Sequence, residues 1–194
     1  MLFPTPADLK ARPARERILL TAHELFYREG IRATGIDRVI AESGVAKLTF
    51  YRHFPSKQAL MLAYLELRHR IWLDWFQAAL ARHARPGRAA ADILTDALAE
   101  WLGEAGYRGC AFINGMVELG GTEPEVRRLA QAHKQAMSAA IAAVLPAGPR
   151  QQARADALAM AVDGAIVRAQ LDGDAAAALG TLRHLAEAAL QAAV

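Results

Sequence analysis

The chain of 194 residues is 54% hydrophobic and 22% charged. That balance excludes a disordered chain and supplies enough apolar mass for one substantial core, or for a small module joined to a larger one. Residues 1–57 hold ten Lys/Arg against six Asp/Glu, a net +4, and residues 58–194 hold thirteen against fourteen, a net −1; only the head is suited to a polyanion partner.

Helical spacing runs through nearly the whole sequence, and no stretch alternates apolar and polar residues with β-branched enrichment. The expected fold class is all-α, with about nine helices. The first follows Pro13, lines Ile18, Ala22, Leu25 and Phe26 on one face, and ends at Gly30. A short second helix is predicted to begin at Thr34 as its N-cap, with Asp37 three residues on. Gly44 marks a turn, and a short third helix runs from Lys47 to His53 before Pro55. Ser56 caps a long fourth helix to about Ala84. A fifth covers about Arg88 to Glu104, and a sixth lies around Ile113 to Leu119. Thr122-Glu123-Pro124-Glu125 reads as a capping box opening a seventh. An eighth spans about Arg150 to Leu171, and Asp174 caps the last. The expected domain division is 1–55 for the basic head and 56–194 for a helical body.

Thr34 to Phe54 is the informative stretch. It reads as helix, glycine turn, helix, the arrangement in which the second helix enters the major groove and the first crosses the backbone. Lys47, Arg52 and Lys57 are cationic. Thr49, Tyr51 and His53 offer groups that reach phosphates or base edges. Val45, Phe50 and Phe54 alternate with them as apolar anchors.

Gly44-Val45-Ala46-Lys47-Leu48-Thr49-Phe50-Tyr51-Arg52-His53-Phe54-Pro55-Ser56-Lys57 resembles the signature of the TetR family of bacterial transcriptional regulators around its recognition helix. Ala22 to Gly30 resembles the family's first helix, and Thr34 its usual cap threonine. The resemblance extends over about Ala14 to Leu73. It implies that Lys47, Leu48 and Thr49 face bases and that Thr34, Tyr51, His53 and Lys57 grip phosphates. Leu48 departs from the glycine or small residue of many members; it either touches a thymine methyl or restricts the approach. For Arg38 and Arg52, solvated surface and DNA contact remain equally open. Arg28 and Arg32 read as surface charges, and Phe50 and Phe54 as core.

The body carries no Gly-rich phosphate loop, CxxC, HExxH or nucleophile elbow, so neither an enzyme nor a cofactor is expected. His133 and Met137 lie at i and i+4 on an apolar face. They read as core, with no metal site expected. Bundles place ligand cavities between helices, lined by aromatics and a few polar groups. The resemblance implies such a pocket among the fourth to eighth helices, and Trp72, Trp101, Phe112, Met116, His133 and Met137 are its candidates for a small apolar or aromatic ligand. Leu158, Val162, Ile166, Leu182, Ala186 and Ala189, on the last two helices, are candidates for a homodimer interface that sets two heads on a palindromic or near-palindromic operator.

Cys110 is the single cysteine, which excludes an intrachain disulfide and fits a reducing compartment; it reads as a small buried hydrophobe. Met1 to Lys10 lacks the basic start and apolar run of a secretion signal. The longest uncharged stretch, Gln135 to Pro149, falls short of the ~18 apolar residues of a membrane span. A cytoplasmic protein without a membrane partner is expected. The leading functional expectation is a repressor released by its ligand. The alternatives are a regulator governed by a protein partner or by its own abundance, and a helical enzyme.

Overall fold

The computed structural model describes residues 11–191, so the part of the expected head before residue 11 lies outside the described residues. Nine helices and no strand occur among them: α1 (Ala14–Glu29), α2 (Ile36–Ser43), α3 (Lys47–His53), α4 (Lys57–His83), α5 (Ala90–Leu102), α6 (Ala111–Leu119), α7 (Pro124–Ala142), α8 (Gln151–Asp172) and α9 (Ala175–Gln191). The all-α expectation holds.

Two compact units form. Among the described residues, one comprises 11–71 and 111–130, the other 72–110 and 131–191. The division falls inside α4, and again inside α7. The boundary expected at 55/56 lies within the first unit.

In the first unit, α1, α2 and α3 pack on one another. Ile18, Leu25, Phe26, Val39, Phe50 and Phe54 are buried, and Leu60, Tyr64 and Leu65 of α4 join the apolar interior. The helix ends follow from local chemistry. Gly30 closes α1 at φ 94°. Ser56 Oγ accepts the N–H of Ala59 at 3.0 Å, which caps α4 as expected. Gly44 turns the chain from α2 to α3 in the left-handed region (φ 64°, ψ 35°), and a Cβ built there would meet nothing within 4 Å. Glycine is therefore required by the dihedral angle and not by space.

Two expected caps do not form. Gly35, with extended backbone, occupies the N-cap of α2 and supplies no side-chain bond. Thr34 is 0% exposed, and its hydroxyl turns back to donate to the Gly30 carbonyl at 2.8 Å. Similarly, the Thr122 hydroxyl donates to the Leu119 carbonyl at 3.2 Å, closing the preceding turn, and α7 begins at Pro124.

In the second unit, α9 packs on both α5 and α8. Asp174 Oδ1 accepts the N–H of Ala176 at 2.8 Å and starts α9 as expected. An aromatic cluster fills part of the interior: Trp72 lies 4.7 Å from Phe76, 4.9 Å from His133 and 5.5 Å from Trp101 between ring centres. Cys110 is buried, with Lys134 Nζ 3.5 Å from its sulfur.

Candidate nucleic-acid interface

The α2–turn–α3 pair owes its geometry to a division of labour on α3. Phe50 is fully buried and meets Phe54 at 6.3 Å, which clamps one face of the helix to the interior. The other face is turned to solvent. Lys47, Leu48, Tyr51 and Arg52 are exposed, and Thr49 and His53 are half-exposed. Leu48 is 83% exposed, a large apolar side chain in the first turn with no packing role. The polar groups that sequence reasoning assigned to bases and phosphates on α3 are thus all accessible to solvent.

Charge on this face is only lightly neutralised. Lys47 pairs with Asp37 at 3.3 Å, an exposed contact of small energetic weight. Arg38 is held differently: it donates to Glu42 at 2.7 Å and also pairs with Glu29. That arrangement places it in a surface ion-pair cluster together with Arg28, Glu24 and Glu29. Lys57, at the start of α4, donates to the Arg32 carbonyl at 3.3 Å. Burial pulls its pKa down, offset in part by the nearby carboxylate of Glu118.

Thr34 is a correction. Its side chain, buried and already bonded to Gly30, sets the α1–α2 connection and is not presented to a phosphate.

A family model for bacterial regulatory proteins of the tetR family matches residues 18–64, the segment that carries this pair. The chain is also similar along nearly its full length to a solved TetR-family transcriptional regulator from Streptomyces coelicolor. The two are 33% identical with a TM-score of 0.75, covering 92% of this chain and 94% of the other. This chain belongs to the TetR family. Curated relatives match shorter stretches of it. The HTH-type transcriptional regulator YerO of Bacillus subtilis is 44% identical over 52 residues, 27% of this chain and 18% of its own length. The HTH-type transcriptional activator FasR of Mycolicibacterium smegmatis is 42% identical over 55 residues, 28% of this chain and 25% of its own. The chain therefore matches these two curated relatives over a quarter of their length or less.

The TetR chain is a DNA-binding transcriptional regulator, and the remaining site residues divide as follows. Trp72, Trp101, His133 and Met137 belong to the second unit, where all are buried; Phe112 and Met116 belong to the first. Among the described residues, no three His, Cys, Asp or Glu side chains gather to hold a metal ion, and no helix is long and apolar enough to cross a membrane.

The interface stripe also needs correction. Leu158, Val162, Ile166, Leu182 and Ala186 are buried within the chain itself, and Ala189 is half-buried. Each helix has a second face. Met160, Gly164, Val167 and Leu171 follow one another at helical spacing on the exposed side of α8, and Leu185 is exposed on α9. Between these helices runs a groove of about 580 Å³, lined by Met160, Gly164, Ala165, Leu182 and Leu185 among others. The sequence shows both stripes; periodicity cannot say which one the chain keeps for itself.

Glu118 has no place in the sequence reading. Its partner is the Arg32 amide, 86 residues earlier, a separation that no local pattern signals.

Proposed function

We propose that this TetR-family regulator is a repressor that acts in the cytoplasm as a homodimer on a palindromic or near-palindromic operator, and that a small apolar or aromatic molecule bound among the helices of the second unit releases it. It is a regulator without catalytic step or cofactor. Lys47, Leu48 and Thr49 read bases, and Tyr51, His53 and Lys57 hold phosphates. The exposed stripe of α8 and α9 meets its copy in the partner protomer, which places two reading heads on successive major grooves.

The observation that carries the ligand response is Trp72. Its indole is 3% exposed, and Nε1 has no hydrogen-bond partner. A buried donor left unmade costs about 1–3 kcal/mol, which a ligand carrying an acceptor recovers on binding. Ligand binding then shifts the equilibrium between operator-competent and incompetent states by its differential affinity for them. The part of α4 that belongs to the second unit begins at Trp72 itself, which makes α4 the natural carrier of the signal.

The close packing of Trp72 against Phe76 and His133, at 4.7 and 4.9 Å, favours a second reading: a regulator with a filled body, controlled by a protein partner or by its abundance. A panel of apolar and aromatic molecules decides between them. The ligand reading expects quenching of tryptophan emission, a raised melting temperature and release of bound DNA by the same compound. No response across the panel, with the protein dimeric and DNA-bound, establishes the second.

A further inference from the structure

The connection between α1 and α2 is held from three sides. Thr34 donates to the Gly30 carbonyl at 2.8 Å from within the connection itself. Lys57 donates to the Arg32 carbonyl at 3.3 Å from the start of α4. The third hold comes from α6: Glu118 Oε2 accepts the Arg32 N–H at 2.8 Å. The same carboxylate lies over Gly30, where an added Cβ would come within 3.3 Å of Oε1. Gly30 also has φ 94°, a conformation that other residues rarely adopt. A further bond, Gln58 Nε2 to Glu123 Oε2 at 2.6 Å, ties the first turn of α4 to the residue before α7. All of these groups belong to the first unit.

We propose that Glu118 is a positioning residue for DNA binding: its bond to the Arg32 amide makes the end of α6 set the α1–α2 connection, and through it the presentation of the reading pair. The chemistry supports positioning over charge. A carboxylate accepting a backbone N–H is among the stronger neutral-to-ion hydrogen bonds. Here it satisfies an amide ahead of α2 that no helix ladder satisfies. The Glu118 charge also reaches Lys57, whose pKa it raises against the effect of burial, but its hydrogen bond is to the Arg32 backbone. A displacement of α6 would therefore be transmitted to the connection as the making or breaking of one bond.

The test uses the full-length protein, a duplex selected by the wild type from a randomised pool, and an unrelated duplex of equal length. Glu118→Ala is expected to lower the ratio of specific to unspecific affinity about tenfold or more, the weight of a lost charged hydrogen bond. The salt dependence of binding stays unchanged, because no phosphate contact is removed. Glu118→Gln retains an oxygen that accepts the Arg32 N–H, and restores most of the ratio. Hydrogen exchange at the Arg32 amide accelerates in Glu118→Ala and is slowed again in Glu118→Gln, with the Phe50 amide protected in both. If Glu118→Ala also unprotects Phe50, Glu118→Gln alone decides. Wild-type specificity in Glu118→Ala, or a Glu118→Gln variant that tightens or weakens binding as much as the alanine variant, overturns the proposal and leaves Glu118 acting through its charge or not at all.

Discussion

The guanidinium of Arg68 reaches Nε2 of His23 at 3.3 Å, with both side chains buried. It also lies over the ring of Tyr27, 3.9 Å from its centre. A guanidinium only donates, so His23 accepts through Nε2 and is held neutral. Burial first, and the Arg68 charge second, push its pKa from 6.5 down to about 3.

The sign of the pH effect follows. Between about pH 6.5 and 3 the unfolded chain binds a proton at His23 that the native chain does not. Stability is full above the unfolded value and falls as pH drops through that window. Urea denaturation is expected to show up to about 2 kcal/mol less stability at pH 5 than at neutral pH from this group. His23→Gln should flatten that part of the profile; an unchanged drop in the variant would refute the assignment.

DNA binding separates two kinds of contact on the reading face. Lys57→Ala is expected to weaken binding to every duplex and to flatten the salt slope by about 1 unit. Thr49→Ala should leave the slope intact and relax the preference at one base position, at about 1–3 kcal/mol. Titrations at several salt concentrations check both, and wild-type binding by both variants would remove α3 from the interface.

The reading pair was legible in the sequence because its information is local: a glycine turn, alternating anchors and donors, and a Pro stop within 21 residues, Thr34 to Phe54. The α3 bounds agree with Lys47 to His53 as expected. Thr34 misled because threonine suits an N-cap and an i−4 back-bond equally well, and only the folded chain shows that its hydroxyl goes to Gly30. The exposed and buried stripes of α8 both carry apolar residues, so the choice between them rests on tertiary packing. Glu118 is legible only once α6 is beside the α1–α2 connection.

The exposed stripe gives a paired prediction. Leu171 is 71% exposed and Ile166 1%. Leu171→Glu is expected to keep the wild-type melting curve at low concentration, sediment as monomer at micromolar concentration and lose operator affinity. Ile166→Glu places an unpaired charge in the chain's own interior and should lower stability by several kcal/mol, about 3–5. A Leu171→Glu protein that sediments like the wild type would move the dimer contact elsewhere.

The two positive-φ glycines of the head differ in what surrounds them. Gly44→Ala meets open space and costs only backbone strain, about 1–2 kcal/mol. Gly30→Ala adds to that strain a contact with the Glu118 carboxylate. Thermal unfolding is expected to rank Gly30→Ala below Gly44→Ala, and the double variant with Glu118→Ala should recover part of the difference. Equal losses without recovery would show that the carboxylate gives way freely.

Among the described residues, the first unit is written on the chain in two pieces, 11–71 and 111–130. The residues that read DNA therefore do not form a cassette that one cut can free. Severing at 55/56 would remove the buried Leu60 and Leu65, would part Tyr64 from His23 and Phe26 of α1, and would discard Glu118 from its amide. Recombination between relatives that swaps only the leading segment would graft a reader onto foreign supports, and hybrids that keep function should be those in which the α6 region travels with its own head.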